Sequence, residues 1–126
     1  MTQKQTVLLV EDDPIIALDA LESIEEQGFK CLVAHDPRTA LAVLAASWID
    51  CALLDFDLGG ETSVPVADVL SQCGRPFAVV SGRDHAELIN RIPTAARIYG
   101  KPVDYGKLAR ELVNQTAAGA MARSLA

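Results

Sequence analysis

The stretch Cys51-Ala52-Leu53-Leu54-Asp55-Phe56-Asp57-Leu58-Gly59-Gly60 decides how the rest of the chain is read. Four uncharged residues lead into Asp55, and a run of that length and polarity reads as a strand buried on both faces, as parallel strands between two helix layers are. The carboxylate at its tip then lies where open α/β sheets bind ligands, in the crevice beyond the C-terminal strand ends. Taken alone the stretch leaves a second reading open. Asp and Gly are ordinary turn formers, and Asp55 by itself begins a turn equally well.

On the N-terminal side, Thr6 to Val10 is an apolar strand followed by the acids Glu11-Asp12-Asp13 and then Pro14. Pro at the first helical position with Asp just before it starts a helix, because Pro has no N–H to satisfy there and the Asp side chain caps a free one. Asp13 is thereby assigned to capping, which leaves Glu11 and Asp12 at the strand tip. The helix runs to about Gln27 with Ile16, Ala20 and Ile24 on one stripe, and Gly28 ends it. Phe29 to Ala34 is the next strand, and Asp36-Pro37 opens a second helix reaching about Ser47. Beyond the central strand and the Gly59-Gly60 loop, Val64 to Gln72 reads as helix and Phe77 to Ser81 as a fourth strand. Asp84 with Glu87 three residues later has the pattern of a capping box, opening a short helix that Pro93 ends. Ala96 to Gly100 is a fifth strand tipped by Lys101-Pro102. Asp104 caps a last helix with apolar Tyr105, Leu108, Ala109, Leu112 and Val113, and the Ala-rich tail 116–126 is expected to fray.

Five strands alternating with five helices predict an α/β fold, a doubly wound five-stranded parallel sheet of flavodoxin-like order 2-1-3-4-5 with helices on both faces. At 126 residues the chain reads as one domain, with a core over about residues 6–115. Half of it is hydrophobic and 22% charged, with 17 acidic against 11 basic residues and a net charge of −6. That balance argues against a nucleic-acid surface, which needs clustered Lys and Arg. Apolar runs are too short for a membrane span and no signal-peptide core follows Met1, so a cytoplasmic location is expected. Cys31, Cys51 and Cys73 lack C-x-x-C spacing and suggest neither disulfides nor zinc, and the two in strands read as small buried hydrophobes. His35 and His85 have no ligand-spaced partners and read as surface residues.

Four strand tips carry polar groups: Glu11 and Asp12, Asp55, Ser81, and Lys101. Parallel strands point their C-terminal ends one way, so these residues converge. Clustered carboxylates repel and raise one another's pKa unless a cation lies among them. Oxygen ligands in small number suit Mg²⁺, and a lysine and a hydroxyl opposite complete a clamp for a phosphoryl group. A carboxylate can itself be the nucleophile, giving an aspartyl phosphate. Asp57 lies two residues past Asp55, and Arg83 two past Ser81. Both side chains are expected to border the mouth of this site, where they can pair.

Val10-Glu11-Asp12-Asp13-Pro14, Leu53-Leu54-Asp55, Val79-Val80-Ser81-Gly82 and Gly100-Lys101-Pro102 resemble, in order and at the expected strand tips, the motifs of receiver domains of bacterial two-component response regulators. The resemblance spans roughly residues 6 to 115 and implies a stand-alone receiver with Asp55 as phosphoacceptor. It implies Mg²⁺ held by Asp12, Asp55 and the backbone carbonyl of Asp57, with Glu11 reaching it through water, and Ser81 and Lys101 on the phosphoryl oxygens. It further implies a cis Lys101-Pro102 bond, a histidine kinase or histidine phosphotransfer protein as donor, a monomer or weak dimer, and output to another protein through the face of the fourth helix, fifth strand and fifth helix. One position departs: the family's usual aromatic three before the lysine is Ile98 here, and Tyr99, one residue on, belongs to the opposite strand face.

Two other functions compete. Asp55-Phe56-Asp57 is similar to the D-x-D motif of haloacid-dehalogenase-like phosphatases, in which Asp57 would be a general acid. That family places its motif near the start of the chain, whereas Glu11-Asp12 come first here. The third is an unphosphorylated pseudo-receiver acting as a binding module. Such domains usually lack an acid or the lysine, and this chain has them all.

Overall fold

The computed structural model describes residues 4–93 and 97–125, with side chains described through residue 115. β-branched and aliphatic residues at strand spacing give β1 (Thr6–Val10), β2 (Lys30–Ala34), β3 (Cys51–Asp55), β6 (Phe77–Ser81) and β7 (Arg97–Gly100). They form one sheet in the order β2-β1-β3-β6-β7, every pairing parallel, which is the doubly wound arrangement the alternation predicts. Between them lie α1 (Pro14–Glu26), α2 (Pro37–Ala46), α3 (Val64–Gln72), α4 (His85–Leu88) and, last, α5 (Tyr105–Leu125), whose span takes in the Ala-rich stretch expected to fray. Ala96, the expected first residue of the fifth strand, lies outside the described residues.

Strand alternation sorts the core into two layers. Leu8, Val10, Ala52, Leu54 and Val79 pack with Ala40 of α2, Val66 and Leu70 of α3 and Leu88 of α4. On the other face Val7, Leu9, Leu53, Ala78 and Val80 pack with Ala17, Ala20 and Ile24 of α1 and Leu108, Ala109 and Leu112 of α5. Each large aliphatic side chain buried in this way contributes about 1.5 to 3 kcal/mol of transfer free energy. β3, like β6, is buried along its whole length, so Asp55 stands at the end of a dry strand. α1 and α5 touch closely. Gly106 N–H donates to Ser23 Oγ at 3.0 Å, and a Cβ at position 106 would lie 2.6 Å from the Ser23 carbonyl, so only glycine fits.

Three predicted caps form. Asp13 Oδ1 accepts from the N–H groups of Ile15 and Ile16 at 2.9 and 3.2 Å, Asp36 from that of Thr39 at 2.8 Å, and Asp104 from that of Lys107 at 3.1 Å. The fourth does not. Asp84 makes no side-chain cap bond, and α4 is a single turn with Leu88 as its buried residue. The Gly59-Gly60 loop is also more ordered than expected: β4 (Asp57–Leu58) and β5 (Glu61–Thr62) pair antiparallel around it. Its glycines have φ of +58° and +91°, the left-handed values that a two-residue hairpin turn requires and side chains resist.

Candidate functional site

The sheet brings the expected tips together. Glu11 N–H donates to the Ala34 carbonyl, Phe56 N–H to Val80 and Lys101 N–H to Ser81, each at 3.0 Å, so the backbone fixes the height of each tip against its neighbour. Lys101, ahead of a cis bond to Pro102, places its Nζ 3.2 Å from Asp55 Oδ1 and 3.9 Å from Glu11 Oε1. Glu11, Asp12 and Asp55 each offer a carboxylate oxygen within 4.8 Å of the others. Glu11 is 1% exposed and Asp55 6%, whereas Asp12 is open to solvent.

One lysine does not balance three carboxylates. Burial, reinforced by the neighbouring Asp55 carboxylate, pushes the Glu11 carboxyl well above the ordinary carboxylate range against the pull of Lys101. Both Glu11 oxygens are buried and have no hydrogen-bond partner among the described residues. Buried acceptors left unpaired in this way are costly, and an all-oxygen donor set of this size fits a small hard dication. The site can therefore hold such an ion, with Asp12 as its exposed entry. The hairpin tip crosses it: a Cβ on Gly59 would sit 3.4 Å from Asp12 Oδ2.

Ser81, 2% exposed, is fixed by the N–H of Arg83, which donates to its Oγ at 3.0 Å. The Asp57 side chain stays out of the acidic cluster and pairs with Arg83, Nε to Oδ2 at 2.9 Å and Nη2 to Oδ1 at 2.8 Å, as expected for two residues bordering the mouth. This fork holds the Asp57 carboxyl below its usual range. Arg83 also reaches Glu87 at 3.6 Å.

Sequence reasoning missed three neighbours. The Arg91 guanidinium lies 4.9 Å from the centre of the Phe56 ring, tying the turn after α4 to the residue beside Asp55. The half-buried Tyr105 phenol is pushed up by burial and then by the carboxylates of Glu11 and Asp55; its place just beyond Lys101-Pro102 was the available signal. His35 is exposed as expected, yet its Nδ1–H donates to the Glu11 carbonyl at 3.0 Å. His85 is exposed. Ile98 packs with the α2, α3 and α4 layer and Tyr99 with the α1 and α5 layer, on opposite faces as alternation demands.

No protein-family model and no curated protein matches the sequence. Solved structures do. A response regulator receiver protein from Sinorhizobium medicae WSM419 superposes with a TM-score of 0.79 at 23% identity, covering 89% of this chain and 96% of that one. A response regulator receiver domain protein from Methanospirillum hungatei JF-1 gives 0.74 at 20% identity over 90% and 94%. A sensor protein from Polaromonas sp. JS666 gives 0.74 at 25% identity over 87% and 94%. With the superposition covering nearly the whole chain and a five-stranded parallel sheet in the order β2-β1-β3-β6-β7 between helix layers, the chain has the response regulator receiver fold.

Proposed function

We propose that this chain is a phosphoacceptor receiver, a signalling domain with Asp55 as its nucleophile. An Asp55 oxygen attacks the phosphorus of a phosphohistidine on a histidine kinase or phosphotransfer protein. The P–N bond breaks with its electron pair returning to the imidazole, and an aspartyl phosphate remains. The Lys101 ammonium, 3.2 Å from Asp55 Oδ1, pairs with the nucleophile's carboxylate and afterwards with the phosphoryl oxygens. Ser81 has an O–H to donate to the same group, because the Arg83 N–H occupies only one of its acceptor sites. Mg²⁺, when held by Asp12, Asp55, the backbone carbonyl of Asp57 and, through water, Glu11, supplies charge neutralisation for the phosphoryl oxygens.

The observation that carries this reading is the Lys101 contact on Asp55 beside Glu11, whose two buried oxygens have no hydrogen-bond partner among the described residues. The phosphatase reading asks Asp57 to deliver a proton, and the Arg83 fork that keeps Asp57 ionised works against that. Output runs through the face of α4, β7 and α5 to a downstream protein. Acetyl phosphate with Mg²⁺ should add one phosphoryl group to the wild type, and none to Asp55→Asn or in EDTA. Label on Asp55→Asn would remove the assignment, and an unlabelled wild type would favour a binding module.

A further inference from the structure

At the opposite end of the sheet, ahead of the N-terminal ends of β3 and β6, a cavity of about 370 Å³ opens between α2 and α3. That volume is within the usual range of small-molecule sites. Leu41, Leu44, Ile49, Val69 and Leu70 wall it with hydrocarbon. Trp48 stands at its rim, 64% exposed yet held in place. The indole Nε1–H donates to Asp50 Oδ1 at 3.1 Å, and the Arg75 guanidinium lies 3.5 Å from the ring centre.

The charges at this rim are arranged asymmetrically. Asp50 lies at the edge of the indole and is engaged on both oxygens, since its Oδ2 accepts the Thr6 N–H at 2.7 Å. Arg75 covers the face of the indole, and stacking of that kind leaves the in-plane N–H donors of a guanidinium available. Among the described residues no carboxylate and no carbonyl takes those donors. An apolar pocket edged by an oriented cation with open donors is complementary to an apolar chain ending in an anion.

We infer that the cavity between α2 and α3 binds a small apolar carboxylate, its hydrocarbon against Leu44 and Leu70 and its carboxylate on Arg75. Trp48 is the chain's one tryptophan, so its emission reports on this rim alone. Octanoate should give a saturable change in Trp48 emission and slow the alkylation of Cys73, the exposed thiol lining the same cavity. Arg75→Gln should weaken octanoate by about tenfold or more, the loss of a charge-assisted hydrogen bond, and leave octanol unaffected. Ala45→Phe, at an exposed lining position of α2, should block both. A non-saturating response, octanol binding as tightly as octanoate, or equal octanoate affinity in Arg75→Gln would overturn the inference. So would self-association that Ala45→Phe abolishes, since the occupant would then be a second copy of this chain.

Discussion

α1 and α4 begin with the same sequence grammar and end as different objects. Both follow a strand tip of the site and both have an Asp at the expected cap. Asp13 accepts two backbone N–H bonds and opens thirteen residues with Ala17, Ala20 and Ile24 buried. Asp84 accepts none and opens four residues with Leu88 buried. A cap contributes roughly 1 kcal/mol, whereas a buried stripe contributes several times that. The stripe therefore decides whether a helix extends. What α4 lacks in burial is replaced by side-chain tethers to the Asp55 loop, from Arg83 to Asp57 and from Arg91 to Phe56. One flank of the site is thus held by core packing. The other, which follows Ser81 at the buried end of β6, has one anchoring side chain, Leu88, and adds surface charge to it.

The largest effect should come from the one anchor of α4. Leu88→Ala should cost about 2 to 4 kcal/mol in urea unfolding, and hydrogen exchange should locate the extra opening in residues 85–92 while α1 keeps its protection. A loss of protection spread evenly over α1 would contradict the contrast. Capping comes next: Asp13→Ala should cost about 1 kcal/mol, and Asp84→Ala should stay within about 0.5 kcal/mol of wild type. Equal costs would mean that Asp84 caps α4 in solution.

A smaller effect is expected from Arg83→Ala, which frees Asp57 and loosens the start of α4. Because the pair is about half exposed, the change in dephosphorylation rate should be modest at low salt and vanish at high salt. An unchanged rate at low salt would remove the pair from any role at the mouth. Least of all should move at β7. Ile98 is stiff at χ1 and has no hydroxyl to exchange between solvent and interior, and Tyr99 faces the other layer. Structures with and without beryllofluoride should show displacement of α4 with no rotamer change at 98 or 99; a Tyr99 ring that turns inward over a stationary α4 would reverse this.

The sheet was legible because its strands are short runs rich in apolar residues, four of the five ended by a polar tip, and the Asp57–Arg83 pair because side chains two residues past neighbouring tips fall on the same rim. The hairpin was not. Two-residue strands have no periodicity, and only the Gly59-Gly60 dipeptide hinted at a left-handed turn. The capping pattern at Asp84 misled because spacing says nothing about how much apolar surface the turn will cover. Trp48 and Arg75 meet only because the chain ends of α2 and α3 converge below the sheet, and neither residue stands in a motif. His35 likewise needed the fold to bring it to the Glu11 carbonyl.

The central claim is that the strand-tip cluster makes Asp55 a phosphoacceptor. Treating the protein with acetyl phosphate and Mg²⁺, reducing with borohydride and sequencing the peptides by mass spectrometry tests it at the level of one residue. Reduction converts an aspartyl phosphate to homoserine. The account predicts homoserine at position 55 and at no other acid, abolished by EDTA; homoserine at Asp12 or Asp57 with Asp55 intact would contradict it.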